Sequence, residues 1–342
     1  IQMWKPGSAT AIAMEPATGE VLAMANRPTY DPNFFATSTP EERRNRAITD
    51  CYEPGSIIKP LVVSGVLKRK LVRPEDVFFC NNGSFQVGRR VLRDVHPYGN
   101  LTVEEIVINS SNIGMAKLAM LEGQKRLYDD LRGFGLGEPT AIELPGEVSG
   151  TLRNPRDWTS YSLGSIAMGY EVTVTPLQIV SAFCAIANGG TLLKPRIVKA
   201  IVQKEGGAGK TFQPQPRRKV LPDNLAREVI IPILTKVVKE GTGRKADLQE
   251  YAVAGKTGTS RKVLDGAKGY GGGYVSSFVG FAPAEAPRLC VLVMINGPRG
   301  DAYYGGTVAA PVVREILRRS LNYLERGAHL TLYHHGAGPC MG

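Results

Sequence analysis

Two short apolar-rich runs, residues 9–14 and 20–25, open the chain on either side of Pro16-Ala17-Thr18-Gly19. Each has the length of a strand, and Pro with Gly supplies a turn, so the segment predicts a hairpin. From about residue 47 to residue 188 the pattern becomes mainly helical. Thr102-x-x-Glu105 reads as a capping box, with Leu101 and Ile106 placed as its hydrophobic staple. Thr175-Pro176-Leu177-Gln178 is a second helix start with Pro at the first helical position, and Asn188-Gly189-Gly190 supplies the stop. Strands return in the last third, where residues 253–261, 274–282 and 289–296 are β-branched or aromatic-rich and punctuated by Gly and Pro. Pro283-Ala284-Glu285-Ala286-Pro287 joins the second of these to the third as a hairpin loop. A final helix over about 308–324 presents Val312, Ile316, Leu317 and Leu321 at helical spacing. Residues 204–219, rich in Gly, Pro and Gln, read as an exposed loop, and no internal repeat is visible.

This order predicts an α+β fold: a five-stranded antiparallel sheet, two strands from the N-terminal end and three from the C-terminal end, flanked by helices. A mainly helical lobe over 47–189 interrupts the sheet lobe, which draws on 1–46 and 190–327 and leaves 328–342 as a tail. The 342 residues can bury a large core as one big domain or two lobes. Residues 289–295 form the longest conspicuous apolar run, far short of the ~20 needed to span a bilayer. No signal peptide is visible, and a chain opening on Ile1 reads as a fragment without its natural N-terminus.

A formal charge of +11 suits nucleic acid, anionic lipid or wall polymer as a partner. The basic residues (Arg43, Arg44, Arg89, Arg90, Arg217, Arg218, Arg318, Arg319) are scattered, however, without interleaved aromatics or a nucleic-acid motif. The charge therefore reads as a solvated surface with some long-range attraction to an anionic envelope, and no nucleic acid is expected. Cys51, Cys80, Cys184, Cys290 and Cys340 form neither a zinc pattern nor a dense disulfide framework. Cys184 and Cys290 sit in apolar runs as core residues, while Cys51 and Cys80 flank residue 56 as a pair that spacing leaves undecided. No metal or cofactor is expected, and His96, His329, His334 and His335 sit in no triad-like context.

Chemistry enters through three short motifs: Ser56-Ile57-Ile58-Lys59, Ser110-Ser111-Asn112 and Lys256-Thr257-Gly258-Thr259. Glu53-Pro54-Gly55 reads as a turn and the apolar positions from Leu61 as a buried helical face, which puts Ser56 near a helix N-terminus. The i,i+3 spacing places Lys59 on the same face, within reach of the Ser56 hydroxyl. A lysine is a base only when neutral, and burial or a second lysine would lower its pKa; Lys256 is the candidate. Read plainly, Ser56 caps a helix, Lys59 is a surface charge, and Ser110 caps the next helix. Read chemically, Ser110 relays a proton and Asn112 orients Lys59. In the third motif Gly258 would let a substrate backbone approach a strand edge, while Thr257, Thr259 and Lys256 offer two hydroxyls and an ammonium to a carboxylate. Gly209-Lys210-Thr211 and Gly255-Lys256-Thr257 fail as phosphate loops, because Lys204 and Glu250 stand where that loop needs its first Gly.

Together the motifs read as Ser-x-x-Lys, Ser-x-Asn and Lys-Thr-Gly, the second starting 54 residues and the third 200 residues after the first. With them the chain closely resembles the transpeptidase domain of a class B penicillin-binding protein, of the septal or elongation-specific type. The resemblance covers about residues 8–325. It includes Glu15-Pro16-x-x-Gly19-Glu20-Val21-Leu22-Ala23-Met24, Asn45-Arg46-Ala47, Tyr52-Glu53-Pro54-Gly55-Ser56, Ala187-Asn188-Gly189-Gly190, Gly241-Thr242-Gly243 and Tyr303-Tyr304-Gly305-Gly306.

The resemblance implies that Ser56 attacks the penultimate D-alanine carbonyl of a peptidoglycan stem peptide ending in D-Ala-D-Ala, and that a neighbouring stem's amine resolves the acyl-enzyme into a cross-link. It implies Lys59 as base, Ser110, Asn112 and Lys256 managing protons and charge, and Thr257 and Thr259 holding the terminal carboxylate. The backbone N–H groups of Ser56 and Thr259 would form an oxyanion hole, a term worth ~3–4 kcal/mol per donor. It also implies β-lactam binding, a membrane anchor and pedestal domain missing from this chain, action on the outer face of the cytoplasmic membrane, and a polytopic glycan polymerase as partner. The tail from about Ala328, with His334, His335 and Cys340, has no counterpart and reads as a disordered end rather than a metal site.

A serine β-lactamase shares the motifs but must hydrolyse its acyl-enzyme, in class A with a Glu-x-x-Leu-Asn element after Ser-Asp-Asn. Here the nearest match, Glu105 to Asn109, precedes Ser110, and Ser111 replaces the Asp. A D,D-carboxypeptidase with water as acceptor and a non-catalytic β-lactam-sensing or scaffold module stay as alternatives.

Overall fold

The structure is a computed structural model that describes residues 3–202, 209–263, 269–300 and 302–334. Five strands form one sheet: β1 (Ser8–Met14), β2 (Val21–Arg27), β3 (Ala254–Val263), β4 (Tyr270–Ala282) and β5 (Leu289–Asn296). Their order is β3-β4-β5-β1-β2 and every pairing is antiparallel. Chain ends meet in the middle of the sheet, since β1 pairs with β5 from Ser8↔Asn296 to Met14↔Cys290. β3, which carries Lys256-Thr257-Gly258-Thr259, is left at one edge.

Both faces of the sheet are covered, which explains the uninterrupted apolar run in β5. Cys290, Leu292 and Met294 enter one core with Ile12, Met14, Val279 and Phe281. Val291, Val293 and Ile295 enter a second core with Phe278 and the last helix. The helices used below are α1 (Lys59–Lys68), α2 (Val103–Ile108), α3 (Asn112–Glu122), α4 (Gln124–Gly133), α5 (Ser162–Ala167), α6 (Pro176–Ala187), α7 (Ile231–Lys239) and α8 (Ala310–His334). Every residue of α6 is buried, and its Thr175–Gln178 capping box satisfies the N-terminal N–H groups that such a helix cannot leave to water. The box at Thr102 opens α2 in the same way.

Several expectations change. Residues 77–102 hold no α-helix: Val77–Phe79 pairs with Asn100–Thr102, and Ser84–Val87 forms a hairpin with Arg90–Arg93 across Gly88, whose φ is +57°. The expected loop over 204–219 contributes Pro216–Lys219 as a strand against Thr191–Leu193, while 203–208 lie outside the described residues. The last helix buries Val313, Leu317 and Leu321 at i, i+4 and i+8, leaving Val312 exposed. It also runs to His334, through residues expected to begin a tail; His335 and Cys340 lie outside the described residues. Cys51 is exposed, Cys80 is buried and both are free, so they do not pair.

Candidate active site

Gly55 sets up the first motif. Its φ is +56°, its N–H donates to Gly169 O at 3.1 Å, and a Cβ there would lie 2.9 Å from Thr259 O. Only glycine lets this turn settle between the loop after α5 and the edge strand β3. A 3₁₀ turn over Gly55–Ile58 then feeds α1, with Pro60 in the first helical turn, where its missing N–H costs nothing. Ser56 is half-buried in that 3₁₀ turn, its N–H ahead of the first intra-turn bond. On the opposite side, a Cβ at Gly258 would meet Ser277 Oγ at 2.5 Å and Ile57 Cγ1 and Pro54 O at 3.0 Å. Packing of the Ser56 segment onto β3 therefore demands glycine at 258, a reason different from the expected approach of a substrate backbone.

The second motif divides its work among three residues. α2 ends in a Schellman arrangement: Ser110 N–H donates to Val107 O at 3.2 Å and Ser111 N–H to Ile106 O at 2.9 Å. Ser110 occupies the left-handed position usually given to glycine, with φ +58°. That conformation turns both its carbonyl and its hydroxyl onto Lys59, whose Nζ lies 2.6 Å from Ser110 O and 3.2 Å from Ser110 Oγ. Ser111, not Ser110, caps the next helix, accepting from Gly114 N–H at 2.9 Å. Asn112 donates Nδ2–H to Arg93 O at 2.9 Å, which aims its Oδ1 at Lys59 Nζ, 2.8 Å away.

Asp94 is the site residue that reading the sequence missed. Its Oδ1 accepts from the N–H groups of Asn112 at 2.5 Å and Ile113 at 3.1 Å, and its Oδ2 accepts from Ser111 Oγ at 2.7 Å. One carboxylate thus satisfies the orphan donors at the start of α3 and locks Asn112 in place. A lone Asp ending a short basic strand offers no spacing signal; only the hairpin's docking on α3 brings it there.

Lys256 enters from β3, with Nζ 3.1 Å from Ser110 Oγ and 3.3 Å from Thr257 Oγ1. Both lysines are fully buried. Burial lowers the Lys59 pKa to about 7, against the opposing pull of the Asp94 carboxylate. Burial, and then the charge of Lys59, holds Lys256 well below the ordinary lysine range. Two amines that share one hydroxyl oxygen cannot easily carry two protons. A neutral Lys59 that donates to Ser110 O and Asn112 Oδ1 has one lone pair left, which is what a base needs.

On β3, Thr257 is buried and its Oγ1 lies 2.8 Å from Thr242 Oγ1, in the Gly241-Thr242-Gly243 stretch. Thr259 is half-buried, and its Oγ1 accepts from Gly305 N–H at 2.9 Å, leaving the hydroxyl hydrogen free to donate. Lys59, Ser110, Asn112, Lys256 and Thr257 thus meet from three distant segments, and the turn that carries Ser56 packs on β3 at Gly258 and Thr259. The arrangement can activate a hydroxyl, hold an anion and move a proton through Ser110. Among the described residues no group of three His, Cys, Asp or Glu side chains is placed to hold a metal ion.

Comparison with known proteins agrees with this chemistry. The family described as the penicillin binding protein transpeptidase domain matches residues 9–318. Among curated relatives, the probable peptidoglycan D,D-transpeptidase PenA of Neisseria flavescens is 34% identical over 320 residues, covering 94% of this chain and 76% of that protein. The peptidoglycan D,D-transpeptidase FtsI of Escherichia coli K12 is 36% identical over 313 residues, covering 92% of this chain and 51% of that protein. The chain thus spans about three quarters of the first relative and half of the second. Penicillin binding protein 3 of Mycobacterium tuberculosis, solved in complex with aztreonam, superposes with a TM-score of 0.87 at 30% identity, covering 95% of this chain and 74% of that one.

Proposed function

The chain belongs to the penicillin binding protein transpeptidase domain family, and from that premise we propose that it is the catalytic part of a peptidoglycan D,D-transpeptidase, acting through an acyl-enzyme on Ser56. The observation that carries the proposal is the convergence of two fully buried lysines on Ser110, with the turn that carries Ser56 packed on the strand that bears one of them. A buried amine without a bound carboxylate is expensive, and a nucleophile's base is a good reason to keep one.

In the proposed reaction Lys59 accepts the Ser56 hydroxyl proton as Oγ bonds to the penultimate D-alanine carbonyl of a stem peptide. The N–H groups of Ser56 and Thr259 receive the oxyanion, while Thr257 and Thr259 hold the terminal carboxylate. The proton passes by way of Ser110, poised between Lys59 and Lys256, to the amine of the departing D-alanine, and the C–N bond breaks. A neighbouring stem's amine then attacks the ester, gives up a proton along the same path and releases Ser56 as the cross-link forms. β-Lactams would acylate the same oxygen. We place this chemistry on the outer face of the cytoplasmic membrane, in a domain spanning about residues 1–327, with a polytopic glycan polymerase as partner. No helix among the described residues is long and apolar enough to cross a membrane.

Release of the acyl-enzyme to water needs a positioned base. Glu105, the nearest match to a β-lactamase glutamate, is engaged instead: its Oε2 accepts from Thr102 N–H at 2.8 Å and Thr102 Oγ1 at 3.0 Å. Incubation with benzylpenicillin should therefore label Ser56 alone, as read by intact mass and peptide mapping. A chromogenic cephalosporin should give one stoichiometric burst and then a flat trace. A label that survives Ser56→Ala, or sustained hydrolysis, would overturn the reading.

A further inference from the structure

Gly241-Thr242-Gly243 has no part in the chemistry above, yet it lies against the third motif. The stretch follows α7, and its backbone is fastened there by Gly241 N–H donating to Lys236 O at 3.2 Å and Gly243 N–H to Val237 O at 3.0 Å. A Cβ at Gly241 would lie 2.5 Å from Ile108 O at the end of α2, and one at Gly306 would lie 2.4 Å from Thr242 O. The loop is thus seated between the helix whose end presents Ser110 and the Tyr303-Tyr304-Gly305-Gly306 stretch. Thr242 itself is exposed, on a backbone held from both sides.

Its hydroxyl ends a chain of polar contacts that starts among the buried amines. Lys256 Nζ lies 3.1 Å from Ser110 Oγ and 3.3 Å from Thr257 Oγ1, and Thr257 Oγ1 lies 2.8 Å from Thr242 Oγ1. A threonine hydroxyl has one hydrogen and two lone pairs. An N–H of Lys256 takes one lone pair of Thr257 Oγ1. When Thr242 donates to the other, the Thr257 hydrogen is left for a ligand; when Thr257 donates to Thr242, it is not. An anion beside Thr257 selects the first arrangement, because it attracts hydrogens and repels lone pairs. Each bond in such a chain also polarises the next.

We propose that Thr242 is a positioning residue: it donates its hydroxyl to Thr257 Oγ1 and so presents the Thr257 O–H to the substrate's terminal carboxylate. This rests on the transpeptidase reading above, which assigns Thr257 to that carboxylate. A hydrogen bond that only tied the end of α7 to β3 would be indifferent to the charge of the ligand. One that orients a donor is not, since hydrogen bonds to an ionised acceptor are the strong ones.

The test measures acylation of the whole chain by benzylpenicillin and by its methyl ester, which differ in one carboxylate. The wild type should acylate at least about tenfold faster with the acid than with the ester. Thr242→Val, close in shape but unable to donate, should slow the acid about fivefold and leave the ester within about twofold, whereas Thr242→Ser should keep the wild-type ratio. In a Thr257→Val background the same Thr242→Val change should have no further effect on the acid. An unchanged ratio in Thr242→Val, equal losses with acid and ester, or a loss that persists without the Thr257 hydroxyl overturns this inference alone. A wild type that acylates acid and ester equally removes the carboxylate from Thr257, and the inference with it, while Ser56 stands as nucleophile. A wild type that acylates with neither overturns the transpeptidase reading itself.

Discussion

Helices α1 and α3 lie together, and each carries buried polar chemistry at both ends. At one end Lys59 begins α1 and Asn112 begins α3; at the other, Arg69 caps α1 and Glu122 closes α3. The far end is a charge cluster with its own counterions. Arg69 Nη1 reaches Glu122 Oε1 at 3.2 Å and also pairs with Asp130 of α4, and Lys68 lies 3.8 Å from Asp130. Gly65 makes room for the cluster, since a Cβ there would sit 2.3 Å from Asp130 Oδ2 and 2.4 Å from Glu122 Oε1 and would push these carboxylates aside. Burial, followed by the Asp130 carboxyl, raises the Glu122 pKa to about 9 despite Arg69. At the near end the lysines touch only neutral oxygens, and their pKa values fall instead. The contrast teaches that burial with opposite charge at hand ties helices together, whereas burial of a cation without it leaves a free amine ready to take a proton.

The largest effect should come from breaking the near end. Lys59→Arg carries a charge that it cannot shed, so the benzylpenicillin acylation rate of the folded protein should fall roughly 10²–10⁴-fold, alongside a lower urea midpoint from the buried guanidinium. In the wild type that rate should rise with pH through about 7, as Lys59 loses its proton. A near wild-type rate for Lys59→Arg would remove the base from the mechanism.

Breaking the far end should do the reverse. Arg69→Ala strands two buried acids and should cost about 3 kcal/mol in urea unfolding. The folded fraction should acylate at an ordinary rate. A large loss of acylation rate at full folding would mean the two ends are not independent.

Asp94→Asn tests the one carboxylate that reaches the near end. It weakens the start of α3 and removes the charge that supports protonated Lys59. Acylation at pH 8 should drop roughly tenfold, and the rising limb of the pH profile should move to lower pH. A limb that stays put or moves upward would contradict the assigned electrostatics.

Glu122→Gln should be the mildest change, within about 1 kcal/mol at pH 7, because the native side chain already holds a proton. Its signature lies in the pH dependence. With the folded pKa raised to about 9 from an ordinary 4.5, Glu122 contributes stability that is fully present below about 4.5 and is lost as pH rises toward 9. Urea unfolding between pH 6 and 9 should show that slope in the wild type and a flatter one in Glu122→Gln.

Much of this was legible before the fold. Capping boxes at Thr102 and Thr175, the β5 run and the three motifs are local patterns, and local patterns survive into structure because backbone donors and apolar faces must be satisfied wherever the chain goes. The short strands between residues 77 and 102 were not legible. Their half-exposed residues carry little periodicity, and their pairing is settled by the neighbours they dock against. The plain reading of Ser110 as a cap fails for a related reason: two adjacent serines offer the same local signal, and only the Schellman end of α2 assigns the cap to Ser111.

By itself the sequence determined which groups could do chemistry: a serine one helical turn before a lysine, a Ser-x-Asn turn, and a Lys-Thr-Gly-Thr strand. The tertiary structure decided what those groups are. It buried both lysines completely and placed Ser110 Oγ between them. It also brought Asp94 from a hairpin with no motif to the head of α3 and spent Gly258 on packing the nucleophile's turn. Residue type and spacing are one-dimensional properties, but desolvation and Coulomb interaction depend on distances in space, and those distances set whether a lysine is a surface charge or a base.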